Sequence, residues 1–209
     1  FDDLGLRVWG YGFTSDRLES SPLAGQSLAV EGKVSVLCAH ADLGAPLSKY
    51  APLSGTDLAA SGLCYAALGH VHHPGEAQSF GTTTAAYSGC LVGRSYDECG
   101  IGGAVLVGIE DGRLAEWRRI PLAHRQYRIE PLSIDGASND ADVIAALTAM
   151  LTTSGMGEET ALRVLLKGAV EPNYVPGIDA IAAACRANLW QLEVQDHTLP
   201  VWGSDYLEH

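Results

Sequence analysis

The sequence predicts a mixed α/β (α+β) chain in two blocks, and three observations carry that prediction. Two short apolar runs, "KVSVLCAH" and "LCYAALGH", end in histidine, as buried strands do where their ends open onto a site. A hairpin signal follows in "GAVLVGIE", "DG", "RLAEWRRIPL". Beyond about residue 123 the texture becomes β-α-β-α-β, the pattern of a compact two-layer module.

In order, residues 6–13 ("LRVWGYGF") are aromatic and branched and read as a strand. The stretch "TSDRLESSPLAGQS" reads as a polar excursion with helix-start signals. Residues 33–42 form a buried strand that carries His40 at its end. "SKYAPLSGTDLAASG" offers turns and a short helix, and the next strand runs through Gly69 into His70, His72 and His73. The glycine-dense "AAYSGCLVGRSYDECGIGG" leads to the hairpin, where Glu98, Gly100, Gly102 and Gly103 set the turn. The second block reads strand, capped helix, strand, helix, strand over "HRQYRIEPLSI", "NDADVIAALTAMLTTSG", "ALRVLLKGAV", "PGIDAIAAACRANLW" and "QLEVQDH". The boundary is expected at residues 120–126, giving blocks 1–122 and 123–206. Leu207, Glu208 and His209 read as the start of a vector-encoded tag, and Phe1 as a cut site with natural sequence upstream.

A 209-residue chain that is 47% hydrophobic can bury a real core. No apolar run approaches the roughly 18 to 20 residues that span a bilayer, so no membrane association is expected. The five cysteines, Cys38, Cys64, Cys90, Cys99 and Cys185, are odd in number and form no C-x-x-C pair. A disulfide framework or cysteine zinc knuckle is therefore not expected, and a cytoplasmic setting is. The formal charge of −12 opposes non-specific nucleic-acid binding, which needs clustered Lys and Arg.

Three of the seven histidines fall within "GHVHH". His70 and His72, two apart, project to one face of an extended chain about 6 to 7 Å apart, or converge in a tight loop. His40 ends a comparable strand, and adjacent strand ends are where α/β folds assemble their sites. Three imidazoles suit zinc, manganese, iron or nickel. A single strand-end histidine is more often a satisfied surface or core residue, and spacing alone leaves that reading open. His124, His197 and His209 have no metal-like context.

The ordered series strand-"AH", strand-"LGHVH", "YSG" and "GRSYDECGIGG" before a hairpin resembles the second half of a calcineurin-like metallophosphoesterase. Within that superfamily it is most similar to the SbcD-like DNA repair exonucleases, including the YhaO-type bacterial branch. The resemblance covers residues 6–122 well and the remainder more loosely. It implies half of a metallophosphoesterase β-sandwich flanked by helices, followed by an α/β capping domain that helps shape a DNA groove. It also implies that His40, His70 and His72 are ligands to two divalent metals, usually manganese, that promote in-line attack on a phosphodiester. DNA is the implied substrate, an SbcC-like ATPase the implied partner.

The family's D-x-H, G-D-x-x-D and G-N-H-D/E motifs do not occur in this sequence, and Asp42 is no substitute that the family pattern recognises. No catalytic residue is therefore assigned, and the chain by itself is expected to be inactive. Arg113, Arg118, Arg119, Arg125 and Arg128 are five of the thirteen basic residues, with Glu116 the one acidic residue among them. Arg118 and Arg119, with Arg94 nearer the histidines, are weak candidates for DNA contact, against the plain reading of a solvated hairpin face. Rival functions are a phosphoesterase of nucleotides or small phosphodiesters and a non-catalytic interaction module. Exposed strand edges also make a homodimer a reasonable expectation.

Overall fold

The computed structural model describes residues 1–200, so the tag-like residues 207–209 lie outside the described residues. The chain divides into two compact units, Phe1–Leu91 with Gly102–Leu122, and Val92–Ile101 with Ala123–His209. Both mix strands with helices, and sheet predominates. Among the described residues, no helix is long and apolar enough to cross a membrane.

In the first unit the elements run β1 (Leu6–Trp9), β2 (Val34–His40), β3 (Asp42–Leu43), β4 (Pro52–Leu53), α1 (Gly55–Ala60), β5 (Tyr65–Gly69), β6 (Gln78–Phe80), β7 (Thr83–Tyr87), β8 (Gly103–Glu110) and β9 (Arg113–Pro121). The main sheet has the order β1-β2-β5-β7-β6, parallel except for the edge strand β6. Alternation along each strand splits the side chains between two faces. Leu37 and Ala39 of β2, Ala66 and Leu68 of β5, and Ala85 and Tyr87 of β7 share one face and pack with Leu53, Leu58 and Leu63 as the core. Each fully buried leucine contributes about 1.5–3 kcal/mol. Cys38, His40, Ala67 and Ala86 fall on the other face, beside the β8–β9 hairpin. Trp117 of β9 donates its indole N–H to the Tyr65 hydroxyl at 3.3 Å.

The hairpin turn is as expected. Asp111 and Gly112 both have positive φ, 49° and 74°, and Glu110 pairs with Arg113 across them, which is type I′ geometry. Ser54 caps α1 reciprocally with Asp57, the two bonds being 3.0 and 3.2 Å. The first strand is shorter than expected, ending at Trp9 rather than Phe13. "TSDRLESSPLAGQS" forms no helix, because its cap-like residues precede Pro22 and Gly25 rather than a periodic apolar run. The β6–β7 hairpin was not anticipated, although Gly81 with φ 61° sits in its two-residue turn.

The second unit continues with β10 (Gln126–Ser133), α2 (Asp140–Ser154), β11 (Thr160–Lys167), β12 (Ala169–Val170), α3 (Ile178–Cys185), β13 (Gln191–Asp196) and β14 (Leu199–Pro200). Strands β10, β11 and β13 form an all-parallel sheet in that order. Leu162, Val164, Leu166 and Val194 pack against Val143 and Leu147 of α2 and Ile181 of α3. The Asn139 side chain accepts from the Asp142 amide at 3.1 Å to start α2, and Gly155 with φ 63° ends it. Val92–Ile101, grouped by its glycines with the first block, packs here instead. The Gly100 amide donates to the Tyr127 carbonyl at 2.9 Å, and the Tyr96 ring lies edge-on to Tyr127 with centroids 5.1 Å apart.

Candidate metal centre

The register of the first sheet assembles the histidines. His40, the last residue of β2, pairs with Gly69, the last of β5, so His70 emerges directly beside it. The Ala41 amide donates to the Gly69 carbonyl at 3.2 Å and ties the two strand ends together. The chain then turns at His70, whose φ is 109°. That value lies outside the regions open to L-residues at low cost, and such outliers concentrate at functional sites.

His40 Nε2 and His70 Nδ1 stand 3.1 Å apart, with ring centroids at 4.9 Å and planes at 75°. On the opposite edge of His70, Nε2 is 3.7 Å from Asp42 Oδ2, and both side chains are about one-quarter exposed. The Tyr50 ring packs on the face of His70 at 5.1 Å, while Phe13 lies edge-on to His40 at 6.0 Å. The Tyr11 hydroxyl donates to the His40 carbonyl at 3.1 Å. Burial and the neighbouring Tyr87 push the Tyr11 phenol up to about 12, so it is a neutral donor across the ordinary pH range.

Tyr87 braces the loop behind the site. Its hydroxyl donates to the Ala41 carbonyl at 2.9 Å and accepts from the Leu43 amide at 2.7 Å, on either side of Asp42. Desolvation, followed by the nearby His70 and His72, holds the His40 imidazole below its ordinary range, so it stays neutral and able to ligate at pH 7. A cleft of about 620 Å³ opens beside the pair, lined by Cys38, Ala67, Ala86 and Ser88 from the sheet and Val105 and Val107 from β8.

Of the three expected ligands, His40 and His70 are in direct contact, and His72 lies near enough for its charge to act on His40. His72 is exposed, and its carbonyl accepts from the Cys90 amide at 2.9 Å. Among the described residues no three His, Cys, Asp or Glu side chains form one metal-binding group. Geometry gives the reason for Asp42, which meets the edge of His70 that faces away from His40. Asp42 and Tyr50 were not assigned to the site from sequence. Asp42 had a signal, its place two residues after His40, whereas Tyr50 had none.

The arginines divide between the two units. Arg118 and Arg119 alternate on β9, and Arg118 Nε donates to Glu116 at 3.1 Å. Arg94 lies in the second unit, where its guanidinium and backbone amide all donate to Glu98. Also in that unit, Arg125 stacks over Trp190 at 4.3 Å and Arg128 pairs with Glu130. The run of basic residues in sequence is therefore divided between the two units. The chain matches no protein-family model and no curated protein.

Proposed function

We propose that the first unit carries part of the metal site of a phosphodiester-hydrolysing enzyme, a DNA repair exonuclease of the metallophosphoesterase kind. The observation behind this reading is the His40–His70 pair at the ends of adjacent parallel strands. Two nitrogens bound to zinc at about 2.0–2.1 Å and angles of about 90–109° lie about 2.8–3.4 Å apart. The 3.1 Å separation fits that span. The positive φ of His70, 109°, is a backbone cost of the kind that concentrates at functional sites.

In this reading His40 and His70 hold one divalent cation, manganese in the family it resembles, and His72 serves a second. When bound, such cations supply charge neutralisation for a phosphodiester and acidify water. The chain's own part is to keep both imidazoles oriented, with Tyr11 and Tyr87 fixing the backbone on which they stand. The bridging carboxylates of the family are missing from the sequence, so activity requires groups from outside it. The second unit then corresponds to the capping domain. DNA as substrate, an SbcC-like ATPase as partner, self-association as a dimer and a cytoplasmic setting belong to the same proposal. The −12 charge favours one alternative, a phosphoesterase of nucleotides or small phosphodiesters, whose substrates need no extended basic surface.

Titration calorimetry with Mn²⁺ and Zn²⁺ tests the metal site. Binding by the wild type that is lost in a His40→Ala, His70→Ala double variant is the expected result. Binding unchanged in that variant refutes it.

A further inference from the structure

We propose that Asp42 is a positioning residue: its carboxylate holds the proton of His70 on Nε2, leaving the Nδ1 lone pair to share one divalent cation with His40. This inference rests on the metal-site reading above and adds a residue that the family pattern does not include.

The two edges of His70 meet different partners. Nδ1 faces His40 Nε2 at 3.1 Å, and Nε2 faces Asp42 Oδ2 at 3.7 Å. A neutral imidazole carries one proton, and an ionised carboxylate accepts but cannot donate. The carboxylate therefore favours the tautomer with the proton on the near nitrogen. At 3.7 Å the contact is longer than a hydrogen bond, and the carboxylate oxygen stands as an acceptor facing that edge of the neutral ring. Carboxylate–histidine–metal arrangements work in this way, the outer carboxylate fixing both the tautomer and the ring orientation.

The surroundings hold Asp42 in place for this role. Its amide donates to the Ala51 carbonyl at 3.2 Å, and the residues on both sides of it are bonded to the Tyr87 hydroxyl. Tyr50 covers one face of the His70 ring. The imidazole is thus bounded by Asp42, Tyr50 and His40. Asp42 cannot serve as a third ligand from behind the ring, in keeping with the absence of a three-ligand group among the described residues.

Without a cation, the 3.1 Å N···N contact is a hydrogen bond. His70 Nδ1 is unprotonated, so His40 Nε2 carries the shared proton. With a cation held by both nitrogens, His40 would carry its proton on Nδ1 in place of Nε2, by exchange with water, and His70 would keep its proton on Nε2, so the charge of the pair would be unchanged.

The test combines long-range ¹H–¹⁵N spectra of the histidines with calorimetry, using the ¹⁵N-labelled 209-residue chain and Zn²⁺ alone as the probe. In the wild type, His70 should be Nε2-protonated before and after Zn²⁺, and His40 should change tautomer. Asp42→Ala should weaken Zn²⁺ binding by about 10–100-fold and give His70 mixed tautomers. Asp42→Asn keeps an accepting oxygen and should recover most of the affinity, while amide spectra show that both variants are folded. Wild-type affinity and an unchanged His70 tautomer in Asp42→Ala overturn the positioning role. Equal loss in the Ala and Asn variants, with His70 protonated on Nδ1, also overturns it, because Asp42 is then itself a ligand. No Zn²⁺ binding by the folded wild type removes the metal-site reading, and this inference with it.

Discussion

His70 gives the most direct test of strain at the site. A residue held at a φ such as 109° stores on the order of 1–3 kcal/mol. Glycine has no Cβ and releases that strain, while costing about 0.4–1 kcal/mol relative to alanine through the larger freedom of its unfolded chain. His70→Gly and His70→Ala both remove the imidazole, so the lost contacts with His40 and Tyr50 cancel between them. Taking mid-range values, the glycine variant should be more stable than the alanine variant by about 1 kcal/mol, the reverse of the ordinary order. The chain has two compact units, so a single global transition is the wrong readout. Hydrogen exchange at the Leu37 and Leu68 amides under native conditions reports on the first unit alone. An alanine variant as stable as the glycine variant, or more so, would falsify the claim that the backbone is strained here. Neither variant should bind Zn²⁺ as the wild type does, which separates the stability gain from the function the strain serves.

Two further outcomes follow from the same unit. Tyr87→Phe leaves the Leu43 amide and the Ala41 carbonyl without their partner, and should destabilise the segment by about 1–3 kcal/mol; an unchanged exchange rate at the Leu43 amide would show that the hydroxyl does not brace the loop. Burial acts to raise the Asp57 carboxyl, but bonds from Ser54 and Ser21 outweigh it, so its folded pKa lies below the ordinary 3.8. A depressed folded value means that the contribution is complete above 3.8 and is lost as pH falls through the folded value. Asp57→Asn should therefore be less stable than the wild type near pH 6, and the gap should close below about pH 4, as read by hydrogen exchange at first-unit amides; a gap that persists unchanged at low pH would contradict this sign.

The legible parts of the fold were those written in local pattern. The type I′ turn needs positive φ at two successive residues, and "DG" announces it. The second unit's strands and helices followed from alternation, caps and Gly155, although α3 closes at Cys185 rather than running on to Trp190. What the sequence could not show was the association of Val92–Ile101 with the second unit. That association depends on Tyr96 meeting Tyr127 and Arg163, a contact between residues far apart in the chain. At the site, His40 and His70 were visible as strand-end residues, and the register brought them together. Asp42 lies two residues after His40, but a carboxylate behind an imidazole ring has no fixed spacing in sequence that would mark it.

Register links this site to the core. Because strand side chains alternate, Leu37 and Ala39 face inward whenever Cys38 and His40 face the cleft. Sliding β2 one residue against β5 would send both apolar residues to the cleft and turn His40 toward Leu53 and Leu58. The lost burial and the desolvation of an unpartnered imidazole oppose that slip together. Core packing thus specifies the one pairing, His40 with Gly69, that puts His70 within 3.1 Å of His40. A core substitution that loosens β2, such as Leu37→Ala, should therefore disturb the histidine pair before it unfolds the unit, although Leu37 faces away from it.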